Sequence, residues 1–173
     1  MGRIQLLAVV VLSAWIAMTV CMWFAASGSF RTVTRVLQGS DAQFAEAAKP
    51  LSPDQARVVL RYLTSEINRT YFRAYGWAQL VFGVLLFVLM LRHSPRNTTD
   101  LAIAGAMLAL AAVLTLYLTP EIVAIGRRID FVPRDPAPPE MARFRMLHGA
   151  FTGLDGAKLL SSLIVLGRWI LAR

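Results

Sequence analysis

The chain has 173 residues, 57% of them hydrophobic and 16% charged, with a mean hydropathy of +0.56. A soluble domain is about 45–50% apolar and about 25% charged, so the composition argues against one and points to membrane spans within a single compact unit. The net charge of +8 flanks the apolar runs and forms no module of its own, which speaks for bilayer headgroups and against nucleic acid, and the single cysteine, Cys21, excludes an intramolecular disulfide or a zinc-type cysteine cluster.

Ile4 to Phe30 contains no charged residue. A helix needs about 20 mostly apolar residues to cross the hydrocarbon core, so this run supplies span one, over residues 4–27. A signal peptide is the rival reading. Its apolar region is about 7–15 residues long and ends in small residues, whereas this run is longer and holds Trp23 and Phe24 near its end. A retained helix is therefore expected. Met18, Cys21 and Met22 lie on adjacent turns and would suit monovalent copper. Core packing by adaptable side chains is the simpler account.

Helix two is expected to start well before its apolar part. Ser52 is a good N-cap with Pro53 at the first helical position, and no further glycine or proline comes before Gly76. One helix is predicted from Pro53 to about Leu91, with an amphipathic extension over residues 53–73 and span two over 74–92. Val59, Leu63 and Ile67, four residues apart, are predicted to pack that extension against a continuation of helix one through "FRTVTRVL". "HSPRNTTD" is predicted to stop helix two at Pro95 and to cap helix three with Thr98 or Thr99. Span three covers residues 101–121 with a kink at Pro120, residues 132–140 form a proline-rich linker, and span four covers 146–168.

Orientation follows from flanking arginines and lysines. One side collects Arg31, Arg35, Lys49, Arg57, Arg61, Arg69, Arg73, Arg127, Arg128, Arg134, Arg143 and Arg145; the other has Arg3, Arg92, Arg96, Arg168 and Arg173. Both long connections are therefore expected in the cytoplasm and both termini outside, in an inner or plasma membrane. The N-x-T triplets at Asn68 and Asn97 read as helix or cap residues, not glycosylation sites.

Span four carries the polar residues. At about 100° per residue, His148, Thr152, Asp155 and Ser162 share one face, with Lys158 about 60° to the side. Gly149, Gly153, Gly156 and Gly167 form a neighbouring stripe suited to close helix approach. Leu147, Leu154 and Val165 lie on the far side and are expected to meet lipid. An ionised side chain at the bilayer centre costs about 2.5–3.5 kcal/mol on insertion scales. Asp155 is expected to pair with Lys158, three residues on, or with a snorkelling Arg31, Arg69 or Arg73, or to be protonated. Two functions follow: a small ion or solute cavity lined by His148, Thr152, Asp155, Lys158 and Ser162, or interhelical glue in a structural or accessory subunit.

The sequence has no phosphate loop, nucleophile elbow or His-Glu-x-x-His, so it leans away from an enzyme. His93 and His148 lie toward opposite ends of their spans and cannot share a haem; a haem or copper redox protein is the least supported class, and no cofactor is predicted. Partners are expected to be the bilayer, with a homo-oligomer or a second membrane protein beside it.

"RFRMLHGAFTGLD", with Phe144, Leu147, His148 and Asp155, resembles the start of the last helix in the transmembrane protein 205-like family. "YLTPEIVAIGRR", with Tyr117, Pro120 and Arg127, is similar to that family's third helix. Phe151 stands where the family has a small hydroxyl residue, and Asp155 stands for its Asn. "NRTYFRAYG" lacks the Phe-Pro expected before span two. The resemblance implies four spans and a polar cluster in the last helix, and no reaction. The expected fold is all-α: a four-transmembrane-helix bundle with helices one and two extended beyond the bilayer on one side.

Overall fold

In the computed structural model, residues 2–39, 41–93, 97–133 and 135–171 are described. Pro95, the expected stop of helix two, and Arg96, Arg134 and Arg173 of the charge balance lie outside them. The described residues form helices and connecting turns. In chain order these are α1 (Arg3–Gln38), α2 (Ala42–Ala48), α3 (Pro53–His93), α4 (Thr98–Val113), a π-helical turn (Leu114–Leu118), α5 (Thr119–Arg128) and α6 (Glu140–Leu171). The segment Thr98–Arg128 is helical without a break, giving four helices long and apolar enough to cross a membrane. This is the layout of a multi-pass membrane protein. With 36 and 41 residues, α1 and α3 are about 54 and 62 Å long, well beyond a hydrocarbon core of about 30 Å.

Local chemistry explains the helix ends. Ser52 and Gln55 form a reciprocal capping box: the Gln55 N–H donates to Ser52 Oγ at 3.2 Å, and the Ser52 N–H donates to Gln55 Oε1 at 2.8 Å. The cap of α4 is Asn97, not Thr98 or Thr99; its Oδ1 accepts from the Asp100 N–H at 3.2 Å. Pro120 follows the π turn. A proline inside a helix has no N–H to give and crowds the carbonyl four residues back. Widening the turn before it relieves that contact. Thr119 then bridges the wide turn, its N–H and its hydroxyl both donating to the Leu114 carbonyl, the hydroxyl at 2.8 Å.

The helices close into a ring in which α1 packs on α3, α3 on α4, α4 on α6 and α6 back on α1. One apolar core holds Leu12, Trp15, Leu86, Met107 and Val165; a second, nearer the arginine-rich end, holds Met22, Leu114, Ile125, Leu147 and Phe151. A polar layer separates them.

The extensions of α1 and α3 do pack together, but through a different face from the predicted one. Val59, Leu63 and Ile67 point outward, 52%, 55% and 40% exposed, while Ala56, Thr64 and Asn68 are buried. The Ser29 and Asn68 side chains bond to each other at 2.9–3.1 Å across the two helices. Small and polar groups let the backbones approach and satisfy one another, whereas the β-branched and leucyl stripe is left outside.

The same end is tied together by Arg69, which is buried and bonds Glu66 on its own helix and Asp130 Oδ1 at 2.8 Å. Arg127 reaches Glu66 Oε2 at 3.2 Å. Gly126 allows this: a methyl there would sit 3.2 Å from Arg69 Nη2. The hydrogen bond from Arg69, with the charges of Arg69, Arg127 and Arg73, outweighs desolvation and holds the Glu66 carboxyl below its ordinary range.

Candidate functional site: a buried ionic network

Asp155 and Lys158 lie on adjacent turns of α6, both with no measurable exposure. Lys158 Nζ donates to Asp155 Oδ1 at 2.6 Å, to the Tyr75 hydroxyl oxygen at 2.8 Å and to Gln79 Oε1 at 2.5 Å. An ammonium group has three protons, and all three are used. The Tyr75 hydroxyl donates to Asp155 Oδ1 at 2.8 Å and also lies 3.1 Å from Thr19 Oγ1. The Trp23 indole N–H donates to Asp155 Oδ2 at 2.7 Å. The three groups bonded to Asp155 all donate to it.

The network continues into the other helices. Gln79 Nε2 donates to Thr115 Oγ1 at 3.3 Å, and Thr115 donates to the Gly76 carbonyl at 3.1 Å. A methyl at residue 76 would lie 2.9 Å from Thr115 Cγ2, so glycine is what admits Thr115 to that carbonyl. The rings of Tyr75 and Trp15 flank the ammonium, with centroids 5.0 and 5.4 Å away. α1, α3, the π turn and α6 therefore all meet at one ion pair. The Trp15 indole N–H, beside it, is the one buried side-chain polar atom without a partner among the described residues.

A second buried carboxylate closes the opposite end. Asp100 is 1% exposed and accepts from Arg168 Nε at 2.8 Å, Trp169 Nε1 at 2.9 Å and Asn97 Nδ2 at 2.8 Å. It joins the start of α4 to the end of α6.

Of the expected cavity residues, the structure brings Asp155, Lys158 and Ser162 together inside the bundle. His148 and Thr152 are exposed. Thr152 bonds its own backbone at the His148 carbonyl, and His148 stacks on Phe144 at 6.0 Å. The buried seam runs Leu147, Phe151, Asp155, Lys158, Ser162, Val165. Leu147 and Val165, expected at lipid, are core residues. Ser162 bonds the Lys158 carbonyl at 2.9 Å.

None of the three candidate arginines reaches Asp155: Arg31 bonds Ser27, Arg69 bonds Glu66 and Asp130, and Arg73 is exposed. The glycine stripe is not an internal contact either. A methyl at Gly149, Gly153 or Gly167 would meet nothing within 4 Å, and only Gly156 faces a neighbour, the Trp23 ring at 3.7 Å. The glycines that permit close packing are Gly76, Gly83 and Gly126.

Sequence reasoning missed Thr19, Trp23, Tyr75, Gln79 and Thr115. A signal was available: these groups interrupt otherwise aliphatic runs, and Gln79 is the lone amide between Ala74 and Leu91. Among the described residues, no group of three or more His, Cys, Asp or Glu is placed to hold a metal ion. Two shallow surface concavities, along Ala42–Ala47 and Arg31–Gly39, lie away from the network. No family model, curated protein or solved structure matches this chain.

Proposed function

We propose that this chain is a membrane scaffold or accessory subunit, a rigid four-helix unit that engages a second membrane chain or a second copy of itself. The carrying observation is the closed hydrogen-bond inventory of the Asp155–Lys158 pair. All three lysine protons are taken up by Asp155, Tyr75 and Gln79, and both carboxylate oxygens already accept from Lys158, Tyr75 or Trp23, so the pair is held by the protein's own groups. The open faces at Gly149, Gly153 and along Val59, Leu63 and Ile67 are the surfaces offered to a partner. The arginine balance supports a cytoplasmic position for both long connections, with the termini outside an inner or plasma membrane. The motifs around His148 and Pro120 support membership of the transmembrane protein 205-like family.

A second reading, a small ion or solute site at the network, draws on one observation, the unpartnered Trp15 N–H beside Lys158. Native mass spectrometry in mild detergent separates the two. The scaffold reading expects a dimer or stoichiometric complex that Gly153→Leu dissolves, while Asp155→Asn lowers stability alone. A monomer carrying an adduct that disappears in Asp155→Asn would replace it with the solute site.

A further inference from the structure

On α3 and the third span the network lies off the centre of the apolar run, while on α6 Asp155 and Lys158 fall about midway between Arg145 and Arg168. Gln79 is five positions from Ala74 and twelve from Leu91, the ends of the charge-free part of α3. Thr115 is five positions from Pro120 and fourteen from Leu101 in the next span. At about 1.5 Å per residue, Gln79 and Thr115 are each about 8 Å from one boundary and about 18–21 Å from the other. Exposed aromatic rings lie at this depth: Trp77 at 63% and Tyr117 at 57%. From this level toward the Asp100 end, the exposed large side chains of α3 are all aliphatic, from Val81 to Leu91. Amphipathic aromatic rings gather where hydrocarbon meets headgroups.

The charges agree with that boundary. Arg73 and Arg92 bracket the outward face of α3, nineteen positions or about 29 Å apart, which matches a hydrocarbon core of about 30 Å. Toward the arginine-rich end, Arg31, Arg73 and Arg145, on three different helices, are exposed and make no ion pair with another described residue. Nearby Arg69, Arg127 and Arg143 are all neutralised by carboxylates. Exposed guanidinium groups with no carboxylate in contact, close to exposed aromatic rings, present the chemistry that phosphate diesters bind.

We propose that Trp77 and Tyr117, with Arg31, Arg73 and Arg145, form a belt that binds anionic phospholipid headgroups on the arginine-rich side. The belt sets the bilayer register. It places Gln79 and Thr115, on the near side of the network, within the third of the hydrocarbon nearest those headgroups, and places Leu63 outside the membrane in a helical stalk.

The test uses the full chain in bilayers. Purified protein is exchanged into mixed phosphatidylglycerol and phosphatidylcholine vesicles, and retained lipid is counted by native mass spectrometry. A basic residue near an anionic surface is worth about a fivefold change in binding. Arg31→Gln, Arg73→Gln and Arg145→Gln are each expected to lower phosphatidylglycerol retention by about that factor, and the triple variant by about a hundredfold. Arg57→Gln, whose charge is paired with Asp54, is expected to leave retention unchanged. Equal retention in the wild type and the triple variant would overturn the belt. For the register, single cysteines are placed in a Cys21→Ser background. Leu63→Cys is expected to react with an impermeant maleimide and Val81→Cys to be protected. Protection of both would overturn the register.

Discussion

Replacing Lys158 with methionine removes one charge from the network and keeps the side-chain volume close. It leaves the Asp155 carboxylate fully buried, holding Tyr75 and Trp23 as donors but no counter-charge. It also strips Gln79 Oε1 of the donor it has at 2.5 Å. Removing one partner of a buried ion pair costs about 3–5 kcal/mol, because a charge is left uncompensated. Asp155→Asn strands the ammonium in the same way, and its amide N–H₂ must face either the Trp23 N–H or the Lys158 ammonium. The double variant Asp155→Asn/Lys158→Met has no uncompensated charge. It should therefore be destabilised by less than the sum of the singles, with a coupling of about 2–3 kcal/mol. Reversible unfolding by denaturing detergent, followed by tryptophan fluorescence, closes the cycle. Additive single effects, or a Lys158→Met protein within about 0.5 kcal/mol of wild type, would refute the reasoning.

Further outcomes are expected elsewhere. Asp100→Asn should cost about 1.5–3 kcal/mol by weakening the charged bond to Arg168, and should raise hydrogen exchange at the end of α6 before the rest of the bundle. Gly76→Ala should destabilise by about 1–3 kcal/mol, since its methyl would sit 2.9 Å from Cγ2 of Thr115, which is held by its bond to the Gly76 carbonyl; Gly153→Ala, facing open space, should be neutral or stabilising in the monomer by thermal unfolding. Glu66 has a lowered carboxyl range in the folded chain, so the unfolded chain binds more protons as pH falls below about 4.5, and stability rises with pH there. Acid titration of thermal stability should show that loss below its ordinary value, and Glu66→Gln should flatten it.

The number of spans, the capping of α3 by Ser52 and the long extension before span two were all legible in the sequence, because length, charge placement and cap chemistry act locally, whereas the short helix α2 was not foreseen. The buried face of α6 was not. In a water-soluble bundle, hydrophobicity marks the inside, but lipid is as apolar as a core, so leucine and valine carry no such information here. Leu147 and Val165 look the same in sequence as Leu160 and Leu163, yet the first two are buried and the last two face outward. His148 is set only about 20° from Asp155 on a helical projection, and that small angle crosses the boundary between inside and outside. The Val59–Leu63–Ile67 stripe misled for the same reason: its regular spacing shows a face, not which way the face points. The network itself rests on Tyr75, Trp23 and Thr19, each common in membrane helices and distinguished only by meeting at one depth.

The ion pair at the heart of the bundle requires Lys158 to be an ammonium ion bonded to Asp155 inside the membrane. The chain has only two lysines, Lys49 and Lys158, so lysine labelled with ¹⁵N at Nζ gives two signals in solid-state NMR of the protein in bilayers. The account predicts an ammonium signal for Lys158, dipolar-coupled to the carboxylate carbon of Asp155, unchanged by solvent salt and lost in Lys158→Met. An amine signal, or an ammonium signal with no coupling to Asp155, would contradict it.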